Sequence, residues 1–229
     1  MEIAHLETMN WVYDFSDYQQ MYDLTAQDLS KPILDFHSGI SSFNATATQQ
    51  GAHVVSADPA YALSCSDMPR YAERVLSNNI TRLLAAPERL KNSEKNNIDH
   101  VTAAWRQTEK TFLQDYDKGL SEKRYQAATV PALPYKTHQF DLALCTDFIF
   151  YQPAEMQTVT ARVKELTRVA FEVRIFPLMD ECGKISDELG PLMLYLQRNH
   201  FGVEVREVPY KTLHGNNAML RIWSQTCDV

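Results

Sequence analysis

The sequence predicts an α/β protein built on a seven-stranded, mostly parallel sheet that ends in an antiparallel hairpin, with helices on both faces and a helical insertion. The first observation is a strand–helix–strand pattern of roughly 30 residues near the N-terminal end, which is typical of a parallel sheet. The second is a set of apolar runs after residue 124 that alternate with helical patterns. The third is a pair of alternating strands joined by a short loop at the C-terminal end.

Composition favours a single domain over residues 1–229. The chain has 22 Lys and Arg against 29 Asp and Glu, a net charge of −7, and 45% of its residues are hydrophobic. The acidic balance argues against nucleic acid as a partner, because such binding needs a concentrated basic face. No apolar run reaches the ~20 residues of a membrane span and no signal peptide is visible, so we expect a cytoplasmic protein without a membrane partner, as a monomer or a homodimer. The four cysteines form no CxxC pair and the histidines show no metal-ligand spacing, so we expect free thiols and no metal.

Residues 1–30 are predicted as a helical segment that either joins the core or closes over the substrate as a lid. Large side chains fall three and four residues apart from Trp11 to Tyr22, which is typical of an amphipathic helix. Pro32 ends this helix. The next elements are a strand over 33–36, a turn over 37–42, a helix over 43–51 and a strand over 53–57.

Residues 67–122 are predicted as a helical insertion, because a crossover between parallel strands needs only about a dozen residues. We expect two or three helices that end at Gly119, with breaks at Pro87 and over 92–97. The later strands are predicted over 125–130, 140–145, 169–176, 203–208 and 218–223, and the later helices over 153–166 and 188–199, the second capped by Ser186 or Asp187.

Two acids at strand ends predict a ligand site. Asp35 ends the first strand, a turn containing Gly39 opens a helix, and Asp58 ends the second strand, 23 residues after Asp35. In a parallel sheet this arrangement directs backbone N–H groups at a ligand and places an acid against the two hydroxyls of a ribose, at a spacing of about 20 residues. The pattern therefore predicts an adenosine-containing ligand. Alternatively, Asp35 is a simple helix-side acid and Asp58 only turns the chain before Pro59.

Over about 33–60 and 124–224 the chain resembles the class I S-adenosylmethionine-dependent methyltransferases, a Rossmann-like family whose sheet ends in a β-hairpin. The segments that carry the resemblance are ILDFHSG with SADP, LPYKTHQFDLALCTDFIFY, EVRIFPL and LHGNNAML. A narrower likeness is to an uncharacterised bacterial branch with a similar SSFN helix start and a similar EVRIFPL strand.

The resemblance implies that S-adenosylmethionine is the cofactor and that its methyl group passes to a small-molecule acceptor in one in-line displacement. Positioning the reactants supplies most of the acceleration in such a reaction, so no triad or metal cluster is needed. The predicted cofactor-binding residues are Asp35, His37, Gly39, Ser41, Asp58, Pro59, Thr129, Val130, Cys145 and Thr146.

The glycine-rich loop departs from the pattern of the family. Acid-x-Gly-x-Gly-x-Gly becomes DFHSGIS over residues 35–41, so only the middle glycine remains. A side chain at position 37 occupies space where the backbone packs against the methionine part of the cofactor. His37 is therefore a hydrogen-bonded structural residue, a lining residue of the cofactor site or a catalytic base. Ser41 is a milder change, because a serine near a helix start can cap.

Asp147 and Tyr151 are the predicted catalytic residues, because relatives often place a polar residue beside the acceptor just after the fourth strand. Either side chain would take the proton of an acceptor oxygen or nitrogen. For Asp147 the alternative is a solvated loop acid. We expect Cys145 to be a buried strand residue rather than a reactive thiol, and His214, in the hairpin loop, could reach the acceptor pocket.

Two other functions are consistent with the sequence. With two glycines replaced, the chain could be a methyltransferase-like binding or scaffold protein without cofactor chemistry, and the room beside His37 for the methionine part decides between the two. A nucleotide-dependent oxidoreductase of the same topology is the third possibility, although the terminal hairpin and the motif after the fourth strand count against it.

Overall fold

The computed structural model describes residues 11–90, 97–151, 154–180, 182–213 and 217–224. Within these ranges one seven-stranded sheet has the order β3-β2-β1-β4-β5-β7-β6. Its strands are β1 (Pro32–Phe36), β2 (His53–Ala57), β3 (Tyr125–Gln126), β4 (Phe140–Thr146), β5 (Ala170–Phe176), β6 (Phe201–Glu207) and β7 (Ala218–Ser224). The helices are α1 (Phe15–Met21), α2 (Ala26–Leu29), α3 (Phe43–Gln49), α4 (Met68–Ala85), α5 (Ile98–Ser121), α6 (Met156–Val169) and α7 (Leu189–Arg198).

Strands β1 to β5 are parallel, and β7 runs antiparallel to both β5 and β6. This is the Rossmann-like, mostly parallel sheet with a terminal antiparallel hairpin that the sequence predicts. The chain proceeds outward from β1 through β2 to β3, then returns to β4 on the other side of β1. Ligands of open α/β sheets bind at such a reversal, beyond the carboxyl ends of the strands. The ends of β1 and β4 are therefore the expected place for a site.

Two apolar cores lie on the two faces of the sheet. Side chains of a strand alternate between faces, so Leu142 and Leu144 enter the core under α1, α3, α4 and α5, whereas Ala143 and Cys145 enter the core under α6 and α7. The insertion thus packs on the same face as the N-terminal helices. No helix in the described ranges is long and apolar enough to cross a membrane.

The insertion differs from its prediction at one point. It contains α4, α5 and a short 3-10 helix over Pro87–Arg89, and α5 continues through Gly119 to Ser121. Gly119 does not end the helix: a Cβ at this position would collide with the ring of Tyr125, so the glycine allows a close approach of helix and strand. The predicted break over 92–97 lies almost entirely outside the described residues, and Asn97 caps α5 by accepting the N–H of His100.

Several other boundaries were also predicted wrongly; α6, for example, was expected over 153–166 and is Met156–Val169. The N-terminal chain is extended as far as Asp14, which caps the seven-residue α1, because a capping box with Asp17 begins the helix there. The strand predicted over 125–130 ends at Gln126, since β3 lies at the sheet edge and pairs only with β2 over two residues. Helix α7 has Glu188 at its N-cap without a side-chain cap bond, while the Ser186 hydroxyl donates to the Glu188 carboxylate instead.

Candidate functional site

Three acids meet at the carboxyl edge of the sheet. Asp35 is the penultimate residue of β1, Asp58 follows β2 and Asp147 follows β4. The register aligns them, because Phe36 pairs with Ala57 on one side and with Cys145 on the other. All three acids are 0% exposed. Burial of a carboxylate is costly unless it is bonded, so the partners of each acid define what the site can do.

Asp58 builds the loop that follows β1. Its Oδ2 accepts the N–H of Gly39 at 2.9 Å, and its Oδ1 accepts the N–H of Ala60 at 2.9 Å. Gly39 has φ +53°, in the left-handed region that favours glycine. The hydroxyl of Tyr61 donates to the Gly39 carbonyl at 2.8 Å and lies 2.9 Å from Ser38 Oγ. Asp58 and Tyr61 thus hold Gly39 through both its N–H and its carbonyl.

Asp35 is bonded to two hydroxyl groups. Tyr18 Oη donates to Oδ1 at 2.9 Å and Ser56 Oγ donates to Oδ2 at 2.7 Å. Burial raises the pKa of Asp35 to about 7, although the two hydroxyl donors oppose the shift. Tyr22 Oη lies 2.7 Å from Thr146 Oγ1, so α1 contacts the end of β4 as well as β1.

His37 is held as a structural residue would be. Its φ is +58°, its N–H donates to the Ala57 carbonyl at 2.8 Å, and Nδ1 lies 3.1 Å from the Thr146 carbonyl oxygen. The ring packs 4.5 Å from the Phe148 ring. Burial lowers the pKa of His37, which favours the neutral imidazole. These contacts match the first of the three predicted roles and leave the ring beside the end of β4.

Residues 11–24, here called the cover segment, lie over Asp147. The N–H of Trp11 donates to Asp147 Oδ2 at 3.0 Å, and Tyr13 Oη donates to Oδ1 at 3.3 Å. Burial raises the pKa of Asp147 to about 7, against the effect of these donors and of the Arg82 charge. Asp147 also has a left-handed φ of +47°, and such backbone in a non-glycine residue clusters at functional sites.

Tyr151 joins the cover segment to the insertion. Its hydroxyl oxygen accepts Trp11 Nε1–H at 3.1 Å and Arg82 Nη2–H at 2.7 Å. The Arg82 guanidinium also lies 4.5 Å from the Trp11 ring. The centroids of the Trp11 and Trp105 rings are 5.5 Å apart. Burial raises the pKa of Tyr151, and the negative charge of Asp147 raises it further. The predicted catalytic pair is thus brought together under aromatic side chains.

The other predicted cofactor residues lie in or after β1, β2, β3 and β4. Ser41 Oγ accepts the N–H of Phe43 at 3.1 Å near the start of α3, and Pro59 is half-buried beside Asp58. Cys145 is fully buried, and burial raises the pKa of its thiol. Thr129 is exposed beyond β3, and the half-buried Val130 packs against the core under α6. His214 lies outside the described residues.

Sequence reasoning did not assign the side chains that surround the three acids. Tyr18, Ser56 and Tyr61 carry no motif, and Arg82 lies within the insertion, far from the site in sequence. The aromatic cluster from Trp11 to Tyr22 was the one available indication, since it suggested a segment that covers the site. Within the described ranges no group of three His, Cys, Asp or Glu side chains could hold a metal ion.

No family model matches the chain. An uncharacterised protein of Methanocaldococcus jannaschii is 27% identical over 212 residues, which are 91% of this chain and 93% of that protein.

Among solved structures, the chain is similar to a S-adenosylmethionine-dependent methyltransferase, itself assigned without proof of activity, from Methanococcus maripaludis (TM-score 0.47, 12% identity, 94% of this chain and 84% of that one). It is also similar to magnesium protoporphyrin IX methyltransferase of Synechocystis with bound S-adenosylhomocysteine (TM-score 0.45, 12% identity, 86% and 75%). A third is the Burkholderia thailandensis 1,6-didemethyltoxoflavin-N1-methyltransferase (TM-score 0.44, 13% identity, 86% and 72%). The strand order of the chain itself defines the fold.

Proposed function

We propose that the protein is a S-adenosylmethionine-dependent methyltransferase that acts on a small-molecule acceptor, with residues 1–229 as one methyltransferase-like domain. The observation that carries the proposal is the convergence of Asp35, Asp58 and Asp147 at the carboxyl edge of a sheet with this strand order. Residues 1–30 would act as the lid and 67–122 as the specificity insertion. The net charge of −7 supports a small acceptor over nucleic acid.

The residues present fit the cofactor in kind. Asp58 Oδ1 and Oδ2 each accept one backbone N–H, and a carboxylate offers about four acceptor positions, so two remain for ribose hydroxyls. The loop that contains Gly39 lies beside Asp58. Thr146 and His37 lie at the end of β4. The cover segment bonds to Asp35 and Asp147 and all three acids are fully buried, so the proposed binding would begin with movement of the cover segment away from this edge.

When bound, S-adenosylmethionine would supply a methyl group on a positively charged sulfur, which the acceptor nucleophile takes by in-line displacement. Asp147 then has two tasks in the proposed reaction: it orients the acceptor, and it takes the proton that an oxygen or nitrogen nucleophile must lose. A base with a pKa of about 7 suits this second task at neutral pH. The Tyr151 oxygen already accepts two hydrogen bonds, so its own proton is directed to a further partner, such as the acceptor. Aromatic side chains of the cover segment exclude water.

A second candidate is a binding or scaffold protein without cofactor chemistry. It is favoured by one observation: the oxygens of Asp35, Asp58 and Asp147 are all bonded within the chain, and none is exposed. A protein that no longer binds the cofactor would gain stability from such a closed edge, because every buried carboxylate is satisfied.

The test is calorimetric titration of the full chain with S-adenosylmethionine, S-adenosylhomocysteine and NADH. We expect micromolar binding of the first two compounds and none of NADH. Asp58→Ala should abolish binding, because the ribose loses its acceptor. Asp99→Ala is the matched control, since Asp99 is exposed in the first turn of α5.

A folded protein that binds none of the three compounds would refute the methyltransferase and favour the scaffold. Binding of NADH alone would favour the oxidoreductase. If none of the three compounds binds, His37→Gly tests whether the imidazole closes the site. Recovery of S-adenosylhomocysteine binding in this variant would show that the His37 ring prevents binding.

A further inference from the structure

Arg162, in α6, carries a buried Nη1 atom without a hydrogen-bond partner among the described residues. The Tyr135 hydroxyl is the other buried side-chain atom of this kind in that part of the chain. Two other arginines with low exposure are paired with carboxylates: the half-buried Arg124 with Asp115 at 2.7 Å and the buried Arg174 with Asp28 at 3.0 Å. A buried N–H that has lost its water and gained no acceptor is uncommon in folded proteins, so this atom requires an explanation.

The guanidinium of Arg162 lies at the candidate site. Its central carbon is 4.5 Å from the centroid of the Phe148 ring, and Phe148 directly follows Asp147. The same ring is 4.5 Å from the His37 ring and 5.4 Å from the Phe36 ring. Arg162 therefore approaches the ends of β1 and β4 from the α6 side, opposite the cover segment.

The surrounding side chains supply no free anion. Burial lowers the pKa of His37, although Asp58 opposes the shift, so His37 is not a source of negative charge. Burial raises the pKa of the Cys145 thiol, which keeps the thiol protonated. The oxygens of Asp58 are bonded to backbone N–H groups, and those of Asp147 to the cover segment. The positive charge of Arg162 thus lacks a counter-charge from these neighbours.

The geometry points to a carboxylate-binding subsite in which Arg162 Nη1 donates to a carboxylate of the bound ligand, beside Phe148 and His37. A guanidinium presents parallel donors that match the two oxygens of a carboxylate. The proposed function offers two sources of this group, the methionine part of the cofactor and the acceptor, and the first source rests on that proposed function. The subsite would supply the acceptor that the buried Nη1 atom lacks.

The first measurement compares S-adenosylhomocysteine with 5′-methylthioadenosine, which has the same adenosine but no amino-acid part. Arg162→Met keeps the apolar stem over Phe148 and removes the donors. We expect its affinity for S-adenosylhomocysteine to fall on the order of 10- to 100-fold and its affinity for 5′-methylthioadenosine to stay unchanged. Lys164→Met is the control, because it removes a positive charge from an exposed position of the same helix.

An equal loss of affinity for both compounds would overturn the assignment, because Arg162 would then donate its hydrogen bond to the adenosine part that they share. If neither affinity changes, or the wild type binds neither compound, thermal unfolding in sodium acetate against sodium chloride at equal ionic strength decides. A higher Tm in acetate that Arg162→Met abolishes supports a carboxylate from another ligand. The same Tm in both salts overturns the subsite. The second arm needs no cofactor binding, so it separates failure of the subsite from failure of the proposed function.

Discussion

Asp58 and Gly39 are joined by a hydrogen bond of 2.9 Å from the glycine N–H to the carboxylate, across the gap between β1 and β2. The acid that the proposed ribose contact needs is therefore the acid that holds the loop after β1. Tyr61 bonds to the carbonyl of the same glycine. Loop structure and the proposed cofactor binding would therefore depend on one side chain, and a substitution there should affect both.

Asp58→Asn should lower the free energy of unfolding almost as much as Asp58→Ala does. Both oxygens of the native carboxylate face backbone N–H donors, so the amide of asparagine would direct its own N–H groups at one of them. We expect a loss of about 2 kcal/mol in the free energy of unfolding, measured by urea denaturation. Asp99→Asn, at an exposed position, should change it little. A variant as stable as the wild type would show that these bonds do not hold the loop.

The stability of the protein should fall between about pH 4 and 7 through Asp147. Its pKa is about 7 in the folded protein and about 3.9 when unfolded, so the folded state binds the proton more tightly. This contribution is fully present below the unfolded pKa and is lost as the pH rises through 7.

Asp147→Asn should remove this part of the pH dependence. The asparagine oxygen can accept the Trp11 N–H while its amide donates to the Tyr13 oxygen, so the contacts of the neutral acid remain. We expect the variant to exceed the wild type by at least about 1 kcal/mol at pH 8 and to match it near pH 4. Urea denaturation at the two pH values measures this, and an equal difference at both would contradict it. The same linkage predicts that rising pH favours opening of the cover segment.

Arg82→Met should loosen the cover segment without loosening the sheet. The variant loses the hydrogen bond to Tyr151 and the contact of the guanidinium with the Trp11 ring, which together stabilise the closed segment by about 1–2 kcal/mol. Hydrogen–deuterium exchange should become faster in peptides covering 11–14 and stay slow in β1. Arg70→Met, on the exposed start of the same helix, is the control. Unchanged exchange over 11–14 would show that the insertion does not hold the segment.

Gly119→Ala should destabilise the protein even though alanine is the better helix former. The added Cβ would collide with the Tyr125 ring, and such overpacking costs about 1–3 kcal/mol against a gain of about 1 kcal/mol in helix propensity. Gly190→Ala in α7 is the matched control, because a Cβ there meets no atom within 4 Å. The control should be stabilised by about 0.5–1 kcal/mol in thermal or urea unfolding. The same sign for both variants would contradict the close approach at Gly119.

The sheet could be predicted from local patterns because each strand is a short apolar run and the spacing of Asp35 and Asp58 is that of a parallel strand–helix–strand unit. The boundaries that failed depend on contacts distant in sequence. Gly119 was interpreted as a helix end, but only its packing against Tyr125 explains it. The short β3 has a single partner strand, which no local pattern reveals.

The candidate site was predictable in its acids and not in their partners. Strand ends and parallel pairing bring Asp58 and Asp147 to one edge, which a sequence pattern can indicate. The donors to Asp147 come from the cover segment, and Tyr151 accepts a hydrogen bond from Arg82 of α4. Both elements are far from the strand ends in sequence and meet them only in the folded chain. Arg162 was missed for the same reason, because its orphaned Nη1 is a property of packing.

The position of Trp11 allows the cover segment to be followed by intrinsic fluorescence, without an added label. Its indole is packed against Trp105 and under the Arg82 guanidinium, whereas the third tryptophan, Trp223, is in β7 at the other side of the sheet. Opening the segment would move the buried Trp11 indole from beside the guanidinium into water and separate it from Trp105. The intrinsic tryptophan fluorescence of the native chain should therefore report whether the cover segment is open or closed.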